Sequence, residues 1–144
     1  MDHLLRAQHG PAISPASPQV VAGVSRRLSA LASAGESFTT PDEAESGLAI
    51  LFAERAVAWP TDGAKAARGA EWQMCHDIAE GMALGDPSRY RRVFGYALGN
   101  DEHWRTHSWV VDRRTCRIVE PTPKVRRAYV GVELTTEETR ASVA

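Results

Sequence analysis

The second half of the chain holds four short runs rich in β-branched and aromatic residues, joined by segments too short to contain a helix. The runs are Tyr90–Leu98, Thr106–Asp112, Arg117–Glu120 and Ala128–Leu134. Turn residues separate them at Gly99-Asn100 and at Asp112-Arg113-Arg114-Thr115. Parallel neighbours need a crossover of about a dozen residues or more, so these runs are expected to pair antiparallel. Helical periodicity precedes them. From Gln19 to Ala34, the residues Val20, Val21, Val24, Leu28 and Leu31 recur at helical spacing, and Gly35 ends the pattern. Thr40 as N-cap, Pro41 at the first helical position and the acids Asp42 and Glu43 start a second helix. It runs through Leu48, Leu51 and Phe52 to about Val57, before Pro60. Pro60 to Gly69 reads as a linker, and Trp72 to about Leu84 as a short helix stopped by Gly85 and Pro87. Helices first and consecutive strands after them make an α+β fold, with N-terminal helices and a small antiparallel sheet. Residues 1–18, with Gly10, Pro11, Pro15 and Pro18, read as a mobile arm. Residues 19–138 read as a single domain whose helical part is 19–57.

A chain of 144 residues can bury a core without disulfides or metals. Lys plus Arg is 17 and Asp plus Glu is 18, a net charge of -1, which gives no strong nucleic-acid signal and argues against an anionic membrane surface. No apolar run approaches the ~18 residues of a membrane helix. The start, MDHLLRAQHG, lacks a basic stretch followed by an apolar one, so no signal peptide is expected. Cys75 and Cys116 then read as free thiols, and the expected location is cytoplasmic.

Rare reactive residues concentrate in the second half. Cys75 sits near the start of an expected helix, where partial positive charge and free N–H groups stabilise a thiolate. The same N–H groups can bind the oxyanion of a tetrahedral intermediate. His107 opens one strand and Glu120 ends the next. If those strands are hairpin neighbours, the carboxylate can fix the imidazole tautomer and support its charged form. Alone, each residue has an ordinary reading: a small buried thiol, an edge histidine, a surface carboxylate before Pro121. Cys116 falls in a turn, and Trp72, Trp104 and Trp109 read as packing groups. Asp112 competes for the role of His107's partner, but five residues along a strand puts it on the opposite face. Zinc held by Cys75, His76, His103, His107 and Cys116 is an alternative, without the paired short spacing that structural zinc sites show. No phosphate-binding glycine motif is present.

Taken in order, Cys75 with its helix, Arg91-Arg92-Val93-Phe94-Gly95-Tyr96, His107-Ser108-Trp109 and Val119-Glu120-Pro121-Thr122 form a recognisable series. The series resembles the catalytic core of the transglutaminase-like branch of the papain-like cysteine fold. That branch has a Cys opening a helix, a strand with a Gly-Tyr pair, a His-Ala-Trp strand and an Asp-Pro-Thr strand end. The resemblance covers about residues 71–134. It implies a papain-like core with Cys75 as nucleophile, His107 as base and Glu120 as orienting acid. Ser108 stands where the family has Ala, and Glu120 where it has Asp. Gln73 and Trp72 are candidates for a second oxyanion donor. The implied activity is a cofactor-free, cysteine-dependent amide or acyl hydrolase or acyltransferase: a protease, deamidase or transglutaminase-like enzyme. Its substrate would be a protein, peptide or small amide. The alternative from another class is a non-enzymatic binding module on the same framework, with the helices of 19–57 as its partner surface.

Overall fold

The computed structural model describes residues 18–32, 37–39 and 46–143. In chain order these form α1 (Pro18–Leu31), β1 (Ser37–Phe38), α2 (Ser46–Arg55), β2 (Val57–Trp59), β3 (Lys65–Ala66) and α3 (Cys75–Gly85). There follow β4 (Tyr90–Leu98), β5 (His103–Asp112), β6 (Arg117–Glu120), β7 (Ala128–Glu133) and α4 (Thr136–Val143). Residues 1–17 of the arm read over 1–18, and the helix start at Thr40-Pro41, lie outside the described residues. Pro18, read as the end of that arm, opens α1, where its fixed φ and missing N–H cost nothing.

The fold is α+β, with four helices among the described residues and one seven-stranded sheet in the order β2-β7-β4-β5-β6-β3, β1 pairing with β5. The four long strands pair antiparallel as their short connections require, with β4 at the centre between β5 and β7. The sheet as a whole is mixed, because β1 pairs parallel with β5 and β3 parallel with β6. Both short strands are separated from their partners by helix-containing stretches of chain, which is what parallel pairing needs. The linker read at Pro60–Gly69 therefore contains a strand, and Val57 belongs to β2 opposite Gly131 rather than to the preceding helix. Strands of two or three residues carry no alternation to detect; their neighbours impose the pairing.

Alternation along the strands sorts the core into two faces. Phe94, Tyr96, Leu98, Val130, Val132 and Leu134 meet Val20, Val24 and Leu28 of α1 and Leu48, Leu51 and Phe52 of α2. The apolar stripe of α1 is thus used inside the molecule. Ala79 of α3 packs on Val110 and Val119. The opposite face carries Val93, Ala97, Trp109, Val111, Ile118 and Tyr129. On that face Trp109 can lie flat only because Gly131 has no side chain: a Cβ there would stand 2.6 Å from Cη2 of Trp109. Gly95, paired directly with Gly131, is tighter still, since its Cβ would stand 2.1 Å from the Val130 carbonyl oxygen.

The two kinds of glycine should separate in stability measurements. Gly95→Ala forces rigid backbone apart and is expected to cost about 3 kcal/mol, the upper end for overpacking. Gly81→Ala, in α3 with nothing within 4 Å of the added Cβ, should gain roughly 0.5–1 kcal/mol. Denaturant midpoints of the two variants check both signs.

Candidate active site

Cys75 is the first residue of α3, and the first intrahelical bond runs from the Ile78 N–H to the Met74 carbonyl. The N–H groups of Cys75, His76 and Asp77 precede that bond and have no acceptor in their own helix. They lie at the end of the helix that carries the thiol, where the helix dipole adds positive potential. The chain reaches this position under restraint. The Ala67 N–H donates to the Glu120 carbonyl at 2.7 Å, and the Glu71 N–H to the Pro121 carbonyl at 3.1 Å. The segment before the thiol is therefore tied to the strand that carries Glu120. Gln73, two residues before Cys75, has φ 66°, an uncommon conformation for a residue with a side chain.

Glu120 ends β6 with no exposed surface. A carboxylate there is costly unless its lone pairs are filled. The ring Nε2–H of His107 donates to both carboxylate oxygens at 2.9 Å. The Tyr129 hydroxyl donates to Oε1 at 2.7 Å; the Thr122 N–H and hydroxyl donate to Oε2 at 2.9 and 2.8 Å. Burial pushes the Glu120 carboxyl up, but the His107 contact and these donors outweigh it and hold the pKa below its ordinary value. Burial and the neighbouring Glu120 push the Tyr129 hydroxyl up, so it remains a proton donor. Trp109 backs the imidazole, its ring 6.1 Å from that of His107 at 27°.

With Nε2 turned to Glu120, Nδ1 of His107 is the nitrogen left for Cys75, to which the ring is hydrogen-bonded. Burial alone would raise the thiol pKa. Hydrogen bonds and positive charge from His107, then from His76, outweigh it and bring the pKa from the ordinary 9.0 to about 5. Burial alone would lower that of His107, but Cys75 and Glu120 on its two sides raise it instead. Both shifts favour the charged forms, so the arrangement is that of a thiolate beside an imidazolium.

His76, which the sequence offered only as a ligand in the zinc alternative, lies at the thiol. Its Nδ1 is hydrogen-bonded to the Ser108 hydroxyl at 2.6 Å. Arg92, 2% exposed, donates to the same hydroxyl at 2.9 Å, to Glu80 of α3 at 3.1 Å and to Ser142 of α4 at 2.8 Å. Ser108, the departure from Ala in the family pattern, is thus the hinge of a polar network behind the cysteine. Adjacent helical residues point in different directions, which is why spacing gave no reason to pair His76 with Cys75.

The other candidates lie elsewhere. Asp112 accepts from Arg89 at 2.9 Å at the far end of β5. His103 lies between the hydroxyls of Ser37 and Thr39, the latter 2.9 Å from Nε2. Cys116 is exposed in the turn before β6. Among the described residues no three His, Cys, Asp or Glu side chains form a group that could hold a metal. A cleft of about 330 Å³ opens beside Cys75 and His107, bordered by Trp72, Gln73, Arg105 and Arg126. No protein-family model, curated protein or solved structure matches the chain.

The two imidazoles should separate in the pH dependence of alkylation by iodoacetamide, followed in a Cys116→Ala background. The rate at Cys75 should be half-maximal near pH 5, against 9.0 for an ordinary thiol. His76→Ala removes one donor to the thiolate, so the midpoint should rise. His107→Ala should raise it further. A profile unmoved by His76→Ala would show that His76 does not support the charge.

Proposed function

We propose that the protein is a cysteine-dependent acyl enzyme that attacks amide or related acyl groups through Cys75, His107 and Glu120. The observation that carries this reading is the continuous hydrogen-bonded line from thiol to imidazole to buried carboxylate, opening on a cleft. A helix-borne cysteine, a histidine strand and an adjoining acid strand also agree with the papain-like, transglutaminase-like arrangement that the sequence resembles. Nothing in the packing of α1 and α2 favours the binding-module alternative, since their apolar faces are occupied by the core.

In this mechanism the Cys75 thiolate attacks the carbonyl carbon, forming a C–S bond and an oxyanion. The N–H groups at the start of α3 face the developing charge. Gln73, bordering the cleft, is the side-chain candidate for a second donor. His107 passes its proton to the leaving amine as the C–N bond breaks, leaving a thioester on Cys75. Neutral His107 then takes a proton from water or an amine, which attacks the thioester; the C–S bond breaks and the thiolate–imidazolium pair is restored. Glu120 stays ionised throughout, holding Nε2–H and supporting the charge on the ring.

The direct test uses p-nitrophenyl acetate as a general acyl donor and mass spectrometry of the protein. Acetyl transfer to Cys75 is expected, slowed in His107→Ala and absent in Cys75→Ala. Labelling confined to Cys116 would overturn the assignment.

Glu120 gives a second test. Glu120→Gln keeps the shape but turns an amide N–H₂ toward groups that are themselves donors. That mismatch should cost about 1–3 kcal/mol of stability and roughly one to three decades in acylation rate. Glu120→Asp withdraws the carboxylate by about 1.5 Å, which breaks contacts now at 2.7 to 2.9 Å. Its acylation rate should therefore fall as well, although Asp is the residue of the resembled family. Rates within about twofold for both variants would contradict the role of Glu120.

A further inference from the structure

The cleft at Cys75 does not end at the thiol. A second cavity of about 250 Å³ continues from it, and Trp72, Gly99, Arg105 and Arg126 border both. The outer part adds Lys124 and Arg127, while its one acid, Asp101, already pairs with Arg105 at 2.6 Å. Lys124, Arg126 and Arg127 have no acidic partner among the described residues. A chain of net charge -1 thus gathers unpaired cations beside its most reactive thiol. Lys124 and Arg127 are exposed, and their charges face solvent. Arg126 is held in place: it donates to the Thr122 hydroxyl at 2.9 Å and lies 5.7 Å over the ring of Trp72. Trp72 is 58% exposed, an apolar wall left open at the mouth of the cleft.

We propose that this groove binds an acidic peptide segment, with Asp or Glu side chains of the substrate facing Lys124, Arg126 and Arg127 and an apolar residue against Trp72. The proposal rests on the acyl-enzyme reading, since it supplies the class of substrate for that same site. Two joined cavities suit an extended chain, at about 3.4 Å per residue, better than a single small acid. The spread of the cations along the outer cavity points the same way, because one carboxylate cannot face all of them. Nucleic acid fits less well. Single strands bind along successive aromatic platforms, and Trp72 is the one exposed large aromatic among the described residues.

Calorimetric titration of the full chain carrying Cys75→Ala separates binding from chemistry. The probes are two blocked peptides with the same central glutamine, one flanked by Glu and Asp, the other by Lys. The acidic peptide should bind at least about tenfold more tightly, a factor that corresponds to roughly 1.4 kcal/mol. The preference should shrink with added salt, a measurement that needs no further variant. It should disappear in Lys124→Glu/Arg127→Glu. Equal binding of the two peptides, a preference that survives this double reversal, or tighter binding of an oligothymidylate would overturn the proposal. Turnover by the unmodified protein distinguishes the two readings. Charge-dependent binding without any cleavage or deamidation of the acidic peptide supports the groove and counts against the acyl chemistry. Turnover of both peptides at equal kcat/KM keeps the chemistry and overturns the groove.

Discussion

The contact on which the site depends is the buried pair between Glu120 and His107. A carboxylate with no exposed surface survives only if its lone pairs are filled, and here three chain segments converge to fill them. β5 brings the imidazole, β7 brings the Tyr129 hydroxyl, and the turn after β6 brings the N–H and hydroxyl of Thr122. Each donor fixes the position of its own segment. Removing one partner of such a pair leaves a charge without compensation, at a cost of about 3–5 kcal/mol. The same bonds that make the carboxylate tolerable also set which nitrogen of His107 faces the thiol, so local stability and the orientation of the imidazole share one set of contacts.

The thiol side is built by different means. α3 presents Cys75 at its positive end, and β3 with its following residues ties the approach to α3 onto the strand of Glu120. Behind the cysteine, buried Arg92 joins α3, α4 and β5 through Glu80, Ser142 and Ser108. The guanidinium and the Ser108 hydroxyl together hold His76 against the thiol. A thiolate flanked by two imidazoles and a helix terminus explains a pKa near 5 in a half-buried position, where desolvation alone would push it upward.

The long strands and Cys75, His107 and Glu120 could be read from the sequence because each carries a local signal. Runs of β-branched and aromatic residues marked β4 to β7, and short connections forced their antiparallel order. A cysteine at a helix start, a histidine before Trp109 and an acid before Pro121 were each visible; Glu120 does end β6, whereas β5 begins at His103, so His107 lies within that strand rather than opening it. What escaped has no local signal. β1, β2 and β3 are two or three residues long and exist because longer neighbours offer them hydrogen bonds. α4 is polar along most of its length and is fixed by the Arg55–Glu138 pair and by Arg92, contacts between residues far apart in sequence. His76 and Ser108 are 32 positions apart, so their bond depends on how α3 lies across the sheet.

The central claim is that Cys75 and His107 form an ion pair. Nitrogen-15 NMR of the His107 ring at neutral pH addresses it most directly, because both ring nitrogens carry protons in an imidazolium and only one does in a neutral ring. The expected result is a doubly protonated His107 in the intact protein and a neutral ring, protonated on Nε2 toward Glu120, in Cys75→Ala. A neutral His107 in the intact protein, or a ring whose state is the same with and without the thiol, would contradict the ion pair.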